Sequence, residues 1–385
     1  MVYFSKLKQK NLWRQTMTLS ILAHNVRRLR VSKKLSQKKL AEMTGLSSLA
    51  IINLENEKDN PRMSTVESIA KALNVKLLEL FSPVRELKTV RFRSNKKMQN
   101  RENILAKTFL WLDNYNFLEE TLDEFIPFRL ENVFKQNQYN NIIDASSLCR
   151  NELGLDQKIP INDICMLITE AGIKLHTISL ASDDFFGLSI GKEDGGPAII
   201  VNAWDRISVE RRIFSAAHEL GHLISHKKSY NIEEIIENND EEKEASFFAA
   251  HFLMPDEGFM KAWADASGLH WVDRILKVKH IFHVSYKTVI FRLLEHGLVD
   301  SLIWKDFLLQ YQRRYKRKLP FKEEPYTGNS AEPDGLSGFD FYEERFSRLV
   351  RQAVEKEKIS LSRGAEMLSI SIEDMQERLK GCEVI

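Results

Sequence analysis

The stretch RRIFSAAHELGHLISH, residues 211 to 226, constrains this chain more tightly than any other. Its apolar residues Phe214, Leu220, Leu223 and Ile224 recur at helical spacing, so the segment reads as a helix from about Val209 to Ser225 with buried packing faces. His218 and His222 lie four apart on it. Side chains so spaced project from one face a turn apart, and two imidazoles placed that way can hold one cation. Glu219, beside the first, leans toward the open side of such a cation.

HExxH in an apolar helix is a zincin signature. A tetrahedral catalytic zinc needs a third protein ligand and leaves one position for water. The HExxHxxGxxH extension is absent because residue 225 is Ser, so the third ligand lies elsewhere. The next helix, about Glu241 to Met254 and ended by Pro255, offers two carboxylates. Glu242 shares a face with the small residues Ala245, Ser246 and Ala249, which permit close approach. Glu244 shares one with bulky Phe248 and with His251. Geometry favours Glu242, with Glu244 as the fallback. The bland alternatives are a helix without chemistry or a zinc that only stabilises the fold, and the intact Glu219 argues against the second.

The order AIIVN, then AHELGHL, then EKEASFFAAHFLMP resembles the ImmA/IrrE metallopeptidase family. The resemblance runs over about residues 90 to 300, from VRFRSNKK through LKVKHIFHVSYKTVIFRLLEHGLV. It implies a zincin-like fold and a zinc metallo-endopeptidase with a gluzincin-like ligand set: Zn2+ on His218, His222 and Glu242, with Glu219 catalytic. Glu219 would take a proton from a zinc-acidified water, the hydroxide would attack a peptide carbonyl, and Glu219 would return the proton to the leaving amine. A peptide strand adding to an exposed edge near Ala198 to Asn202 would supply backbone recognition. His226, Tyr230, His251 and His176 are candidates for stabilising the oxyanion.

A second constellation lies upstream. Residues 1 to 100 hold 21 Lys+Arg against 7 Asp+Glu, net +14, and the remainder holds 35 against 47, net −12. A basic head on an acidic body suggests an anion-binding module, nucleic acid first among the candidates. Within it LSQKKLAEMTGLSSLAIINLENE, residues 35 to 57, puts Leu40, Ala41, Leu46, Ile51 and Leu54 on a buried face and Gly45 where the chain must turn. That is the layout of a helix-turn-helix.

With its flanks NVRRLRVSK and NPRMSTVESIAKALNVKLLELF, the stretch resembles the Cro/C1-type (XRE) repressor family over about 60 residues. The resemblance implies that Gln37 caps the supporting helix against a phosphate and that Ser47, Ser48, Leu49, Ile52 and Asn53 face the major groove. Asn53 suits adenine, and Leu49 or Ile52 a thymine methyl. Arg27, Arg28, Arg30, Lys33, Lys34, Lys38 and Lys39 serve as phosphate contacts that set register rather than sequence. Glu57 stands where the family commonly has glycine. With two aliphatic residues on the reading face, affinity is expected to exceed specificity. A helix-turn-helix used for dimerisation or protein contact is the alternative.

The expected architecture is α+β and mainly helical. A five-helix helix-turn-helix bundle (19–82) precedes a zincin-like domain (90–257) with a small, mostly antiparallel sheet, a helical extension (258–317), a linker (318–338) and a helical tail (339–385). LHTISL, FFGLSI and AIIV read as strands of a meander, and Trp111, Phe117 and Phe125 as core positions. The acidic run 233 to 244 reads as a solvated loop or lid, or a second cation site. ISLSRGAEMLSISIEDMQERL, 359 to 379, echoes AEMTGLS at 41 to 47, as a second helix-turn-helix or as a helical pair packed on the body or on another subunit.

No apolar run spans a bilayer and no signal peptide opens the chain, so a cytoplasmic location without membrane contact is expected. Cys149, Cys165 and Cys382 fit no disulfide framework and read as reduced. The partners implied are double-stranded DNA, a protein substrate of the repressor or antitoxin kind, and a second copy in a homodimer. The function implied is a regulator whose peptidase switches a stress, mobile-element or toxin-antitoxin response. The alternatives are a transcription factor whose zinc domain is a non-catalytic sensor or assembly module, and a toxin component controlled by a partner.

Overall fold

In the computed structural model the described residues are 19, 21–30, 33, 35–81, 90–92, 101–136, 141–182, 185–226, 239–320 and 332–380. The chain divides into two compact units, Met1–Glu86 with Lys97–Trp111, and Leu87–Lys96 with Leu112–Ile385. Lys34, Tyr230, Cys382 and the first part of the acidic run lie outside the described residues.

Among its described residues the head has five helices: α1 (21–30), α2 (Gln37–Thr44), α3 (Ser48–Glu55), α4 (Met63–Ala72) and α5 (Leu77–Phe81). Ser36 caps α2 by accepting from the Lys39 N–H, and Ser47 caps α3 by accepting from the Ala50 N–H. Between them Gly45 takes the left-handed conformation, φ 71°, that ends α2. Leu40, Ala41, Ile51 and Leu54 are buried with Val26, Val66, Ile69 and Leu73 in one core. Glu57 also adopts a left-handed φ, 60°, which explains why glycine suits that position.

The body begins with β1 (Val90–Phe92) and includes α6 (Arg101–Leu122) from Leu112 onward, α7 (Glu131–Gln136), α8 (Ile142–Glu152) and α9 (Ile164–Glu170). Then come β2 (Lys174–Ile178), β3 (Gly187–Ile190), β4 (Ala198–Asn202) and α10 (Val209–Ser225). The four strands are ordered β1-β3-β4-β2, with β1 and β4 antiparallel to β3 and β2 parallel to β4. Two expectations need correction. The strands are no simple meander, because β4 lies between β2 and β3, so the connection from β2 leads to a strand on the far side of β4. The Asn202 side chain ties that connection down, donating to the Leu180 and Phe185 carbonyls and accepting from the Leu180 N–H. Ala198–Asn202 is therefore a central strand, paired on both sides, and offers no edge to a peptide.

Helix α10 packs against β3 and β4 and against α11 (Asn239–Leu253), which also packs on α8. Helices α12 (Asp256–Asp265), α13 (Trp271–Phe282), α14 (Tyr286–Glu295) and α15 (Ile303–Tyr315) complete the core. Along α6 the residues Thr108, Leu112, Tyr115 and Glu119 are buried at helical spacing. Trp111 is buried as expected, but Phe117 falls off that stripe and is exposed, as is Phe125. Glu332, inside the expected linker (318–338), is buried.

Among its described residues the tail has α16 (Arg345–Glu355), α17 (Leu361–Leu368) and α18 (Ile372–Lys380). It repeats the head's turn cap for cap. Ser360 caps α17 as Ser36 caps α2, and Ser369 is left-handed at φ 56° where Gly45 is. Ile370 N bonds to Ala365 O as Leu46 N bonds to Ala41 O, and Ser371 accepts from the Asp374 N–H as Ser47 does from Ala50. Val350, Ala365 and Met375 are buried at the positions of Val26, Ala41 and Ile51. The helix-turn-helix geometry is observed, and so is packing of the pair on the body, where Arg363 donates to Asn114 Oδ1 at 2.7 Å. Arg345 fastens it to the body through Glu119, at 2.6 Å, and Tyr115, at 3.2 Å.

Candidate metal centre and nucleic-acid interface

Helix α10 is the expected helix, Val209–Ser225, and Ser208 caps it. Its close crossing with α11 depends on Gly221, where a Cβ would come within 3.0 Å of the Phe248 ring. The bulky Phe248 thus faces α10 rather than away from it, nested where α10 has no side chain. Ala245 and Ala249 are buried on the same helix. This crossing sets the register that carries Glu242 to the two histidines.

His218 Nε2 and His222 Nε2 lie 3.0 Å apart, and Glu242 reaches each at 3.2 Å, Oε2 to His218 and Oε1 to His222. Both histidines are fully buried. These three are a group of ligand atoms that can hold one metal ion. Zinc–nitrogen and zinc–oxygen bonds of about 2.0–2.1 Å in a regular tetrahedron put the ligand atoms about 3.3 Å apart. The observed spacings match that edge within a few tenths of an ångström, and two imidazoles with one carboxylate are a zinc donor set.

Burial pushes the His222 imidazole down to about 4, so at neutral pH its lone pair is available. Burial works against ionisation of Glu242, but hydrogen bonds and charge from His218 and His222 outweigh it and hold the carboxyl well below its ordinary range. From β1, Arg91 contacts Glu241 and lies 3.3 Å from Glu242 Oε1, steadying the ligand carboxylate.

The ring nitrogens turned away from the cluster have partners of their own. His218 Nδ1 lies 3.2 Å from Ser246 Oγ, and His222 Nδ1 lies 2.9 Å from His226 Nδ1. His226 Nε2 in turn lies 2.9 Å from Glu244 Oε2. Glu244, the fallback ligand, therefore stands behind His226 and not at the cluster. The oxyanion candidates are dispersed. His226 backs His222, His251 is held by Glu295 and Arg292, and His176 sits in β2 opposite Ile200, pushed down to about 4 by burial. Sequence reasoning missed Arg91 and the roles of Ser246 and His226. Ser246 had a usable signal, lying four residues after Glu242 on the same face; Arg91, 151 residues from Glu242, had none.

Glu219 is 1% exposed, on the turn between the two histidines. A Cβ on Gly187 of β3 would come within 3.2 Å of Glu219 Oε1, so the absence of a side chain there leaves the carboxylate its room.

In the head, Leu49 is 64% exposed, Ser48 is exposed, and Ile52 and Asn53 are partly covered. Asn53 Nδ2 lies 3.4 Å from Asp59 Oδ2. Lys38 and Lys39 are exposed, Lys39 at 3.3 Å from Glu42. Arg28 Nη2 lies 3.4 Å from Asn25 Oδ1. Gln37 donates to Glu55 Oε2 at 2.8 Å, and the Arg30 fork is committed to the same carboxylate at 2.6 and 2.9 Å and to the Leu35 carbonyl. Arg30 is thus a brace between α1 and α3, not an open phosphate contact.

The fold and these two sites define a helix-turn-helix protein joined to a domain with a histidine-carboxylate cluster that can hold a metal ion. Comparison with known proteins agrees: the helix-turn-helix family matches residues 26–80, and the IrrE N-terminal-like domain family matches residues 168–294. Control protein C.SmaI of Serratia marcescens is 42% identical over 62 residues, 16% of this chain and 74% of that protein. A hypothetical transcription factor of Neisseria meningitidis serogroup B is 36% identical over 67 residues, 17% of this chain and 63% of its own length. A crystal structure of the Neisseria hypothetical transcription factor NHTF is 35% identical, covers 17% of this chain and 76% of that one, and has a TM-score of 0.17. The chain thus carries an XRE-type helix-turn-helix over residues 26–80 and an IrrE/ImmA-like domain over residues 168–294. Among the described residues no helix is long and apolar enough to cross a membrane.

Proposed function

We propose that this chain is a DNA-binding transcription regulator whose body is a zinc-dependent endopeptidase cleaving a partner protein of the repressor or antitoxin kind. The observation that carries the reading is the cluster itself: three ligand atoms at zinc spacing, with Glu219 on the turn between the two histidines. His218, His222 and Glu242 would hold Zn2+, which supplies a Lewis acid that polarises a peptide carbonyl and acidifies water. Glu219 accepts the proton of the attacking water and delivers it to the leaving nitrogen. Ser246 and His226 fix the imidazole orientations through the outward Nδ1 atoms, while Arg91 holds Glu242.

In the head, Ser47, Ser48, Leu49, Ile52 and Asn53 form the groove-facing surface, and Gln37 at the start of the supporting helix joins Arg28, Lys38 and Lys39 as phosphate contacts, used by a homodimer on paired half-sites. The positive head supports DNA affinity, and the relative named a control protein supports a regulatory role. Cleavage of a repressor or antitoxin would then switch a stress, mobile-element or toxin-antitoxin response.

The test is a comparison of new protein N-termini in cells expressing the chain or its Glu219→Gln variant. A set of cleavage products present with the first and absent with the second is expected, with zinc content and operator retardation equal in both. Identical sets would sink the peptidase reading and leave a regulator with a non-catalytic metal module.

A further inference from the structure

Beside the metal cluster lies a cavity of about 770 Å3, within the range of ligand sites, with Phe214, Phe247, Phe291, Trp304 and Leu308 in its wall. Two further lining residues belong to the metal centre: Glu242, and Ser246 on the His218 ring. Phe214 stands one turn before His218, ring centroids 6.5 Å apart, and Phe247 meets Phe291 edge to face at 5.4 Å. Arg211, Lys243 and Lys287 also line it, so a largely apolar chamber with a charged rim lies alongside the metal cluster and shares Glu242 with it.

We infer that this chamber receives bulky apolar side chains of the protein substrate and so selects what is cut. The inference rests on the peptidase reading. A chamber of this volume exceeds any single side chain, so it takes at least two neighbouring residues of the bound segment. Runs of large apolar residues are buried in folded proteins. The substrate class is therefore a protein that presents an apolar segment in an extended or locally unfolded state, and a polar surface loop is not a substrate. Occupancy by a chain segment, rather than by a small effector, follows from the shared wall: whatever fills the chamber lies against Glu242 and the helix that carries His218.

The full-length, zinc-loaded chain is titrated with acetohydroxamate and with peptidyl hydroxamates bearing Phe-Leu, Ala-Ala or Asp-Ser next to the chelating group. Binding is read by calorimetry and by the fluorescence of Trp304, assigned with Trp304→Phe. Burial of each large side chain is expected to tighten binding by about tenfold, so the Phe-Leu compound binds at least about 30-fold more tightly than Ala-Ala. Phe291→Ala and Leu308→Ala each remove about tenfold of that preference and leave acetohydroxamate unchanged. The milder Phe291→Leu, whose helical content is checked by circular dichroism, falls between. Equal affinity for all three peptides overturns the inference and leaves the proposed catalytic centre standing. If the zinc-loaded chain binds no hydroxamate at all, the peptidase reading falls and this inference with it.

Discussion

Glu244 Oε2 lies 2.9 Å from His226 Nε2, and through His226 it reaches the outward nitrogen of His222. A carboxylate–imidazole chain behind a ligand fixes its tautomer and raises its basicity, and such partners are worth about 10–100-fold in metal affinity. Glu244 is more than half exposed, so its share is screened and falls at the low end. His226→Ala is expected to weaken zinc binding by about tenfold or more and Glu244→Gln by less, with Glu242→Ala costing most. Competition against a chromogenic chelator measures all three. Equal losses for Glu244→Gln and Glu242→Ala would mean that both carboxylates are ligands.

Gly187 provides a test of Glu219 that leaves every ligand in place. A Cβ there meets Ile200 O at 3.0 Å and Glu219 Oε1 at 3.2 Å, and the strand backbone gives less readily than the carboxylate. Gly187→Ala should turn the Glu219 side chain aside, cutting cleavage by about tenfold or more, since a positioned general base contributes about 10²–10⁴-fold. Zinc affinity should stay within about twofold. An unchanged cleavage rate would mean that the position of Glu219 does not limit the reaction.

How far the sequence alone reaches can be seen in these same residues. His218, Glu219 and His222 were legible because an i, i+4 pair on one helix is fixed by local geometry, and Glu242 because its neighbours Ala245 and Ala249 permit a close crossing. The head's turn was legible from Gly45 and the apolar spacing around it. Glu244 was harder, because its partner His226 comes into reach only once Phe248 settles on Gly221 and sets the register of α11. The central position of β4 depends on which strand pairs with which, and alternation within AIIVN says nothing of that. Phe117 looked like core by residue type, yet the helix turned it off the buried stripe.

A buried trio predicts the pH dependence of stability. Lys279 Nζ lies 2.7 Å from Glu210 Oε1 and 3.4 Å from Glu332 Oε1, all three nearly or fully buried. Burial, with the Glu210 charge adding to it, pushes the Glu332 carboxyl up to about 8 against the opposing pull of Lys279. From the ordinary value of 4.5 up to about 8, the folded chain keeps a proton that the unfolded chain has released. The contribution of Glu332 to stability is therefore complete below about pH 4.5 and is lost as pH rises through about 8, by about 1.4 kcal/mol per unit at most. Glu332→Gln should flatten this slope in urea melts taken from pH 5 to 8. An identical slope in the variant would place the titration on another group.

The two helix-turn-helix elements share caps and turns but not charge. Where α3 presents Leu49, Ala50 and Asn53, α18 presents Glu373, Asp374 and Glu377, and carboxylates facing a phosphate-lined groove are repelled. Operator binding is thus expected to reside in the head. Lys38→Ala and Lys39→Ala should each weaken binding across sequences and lower the slope of log affinity against log salt by about 1, the signature of a lost phosphate contact. Glu373→Ala with Glu377→Ala should change operator affinity by less than about twofold at moderate salt. A loss with the α18 pair as large as with the lysines, in retardation assays on one operator, would show that the tail reads DNA as well.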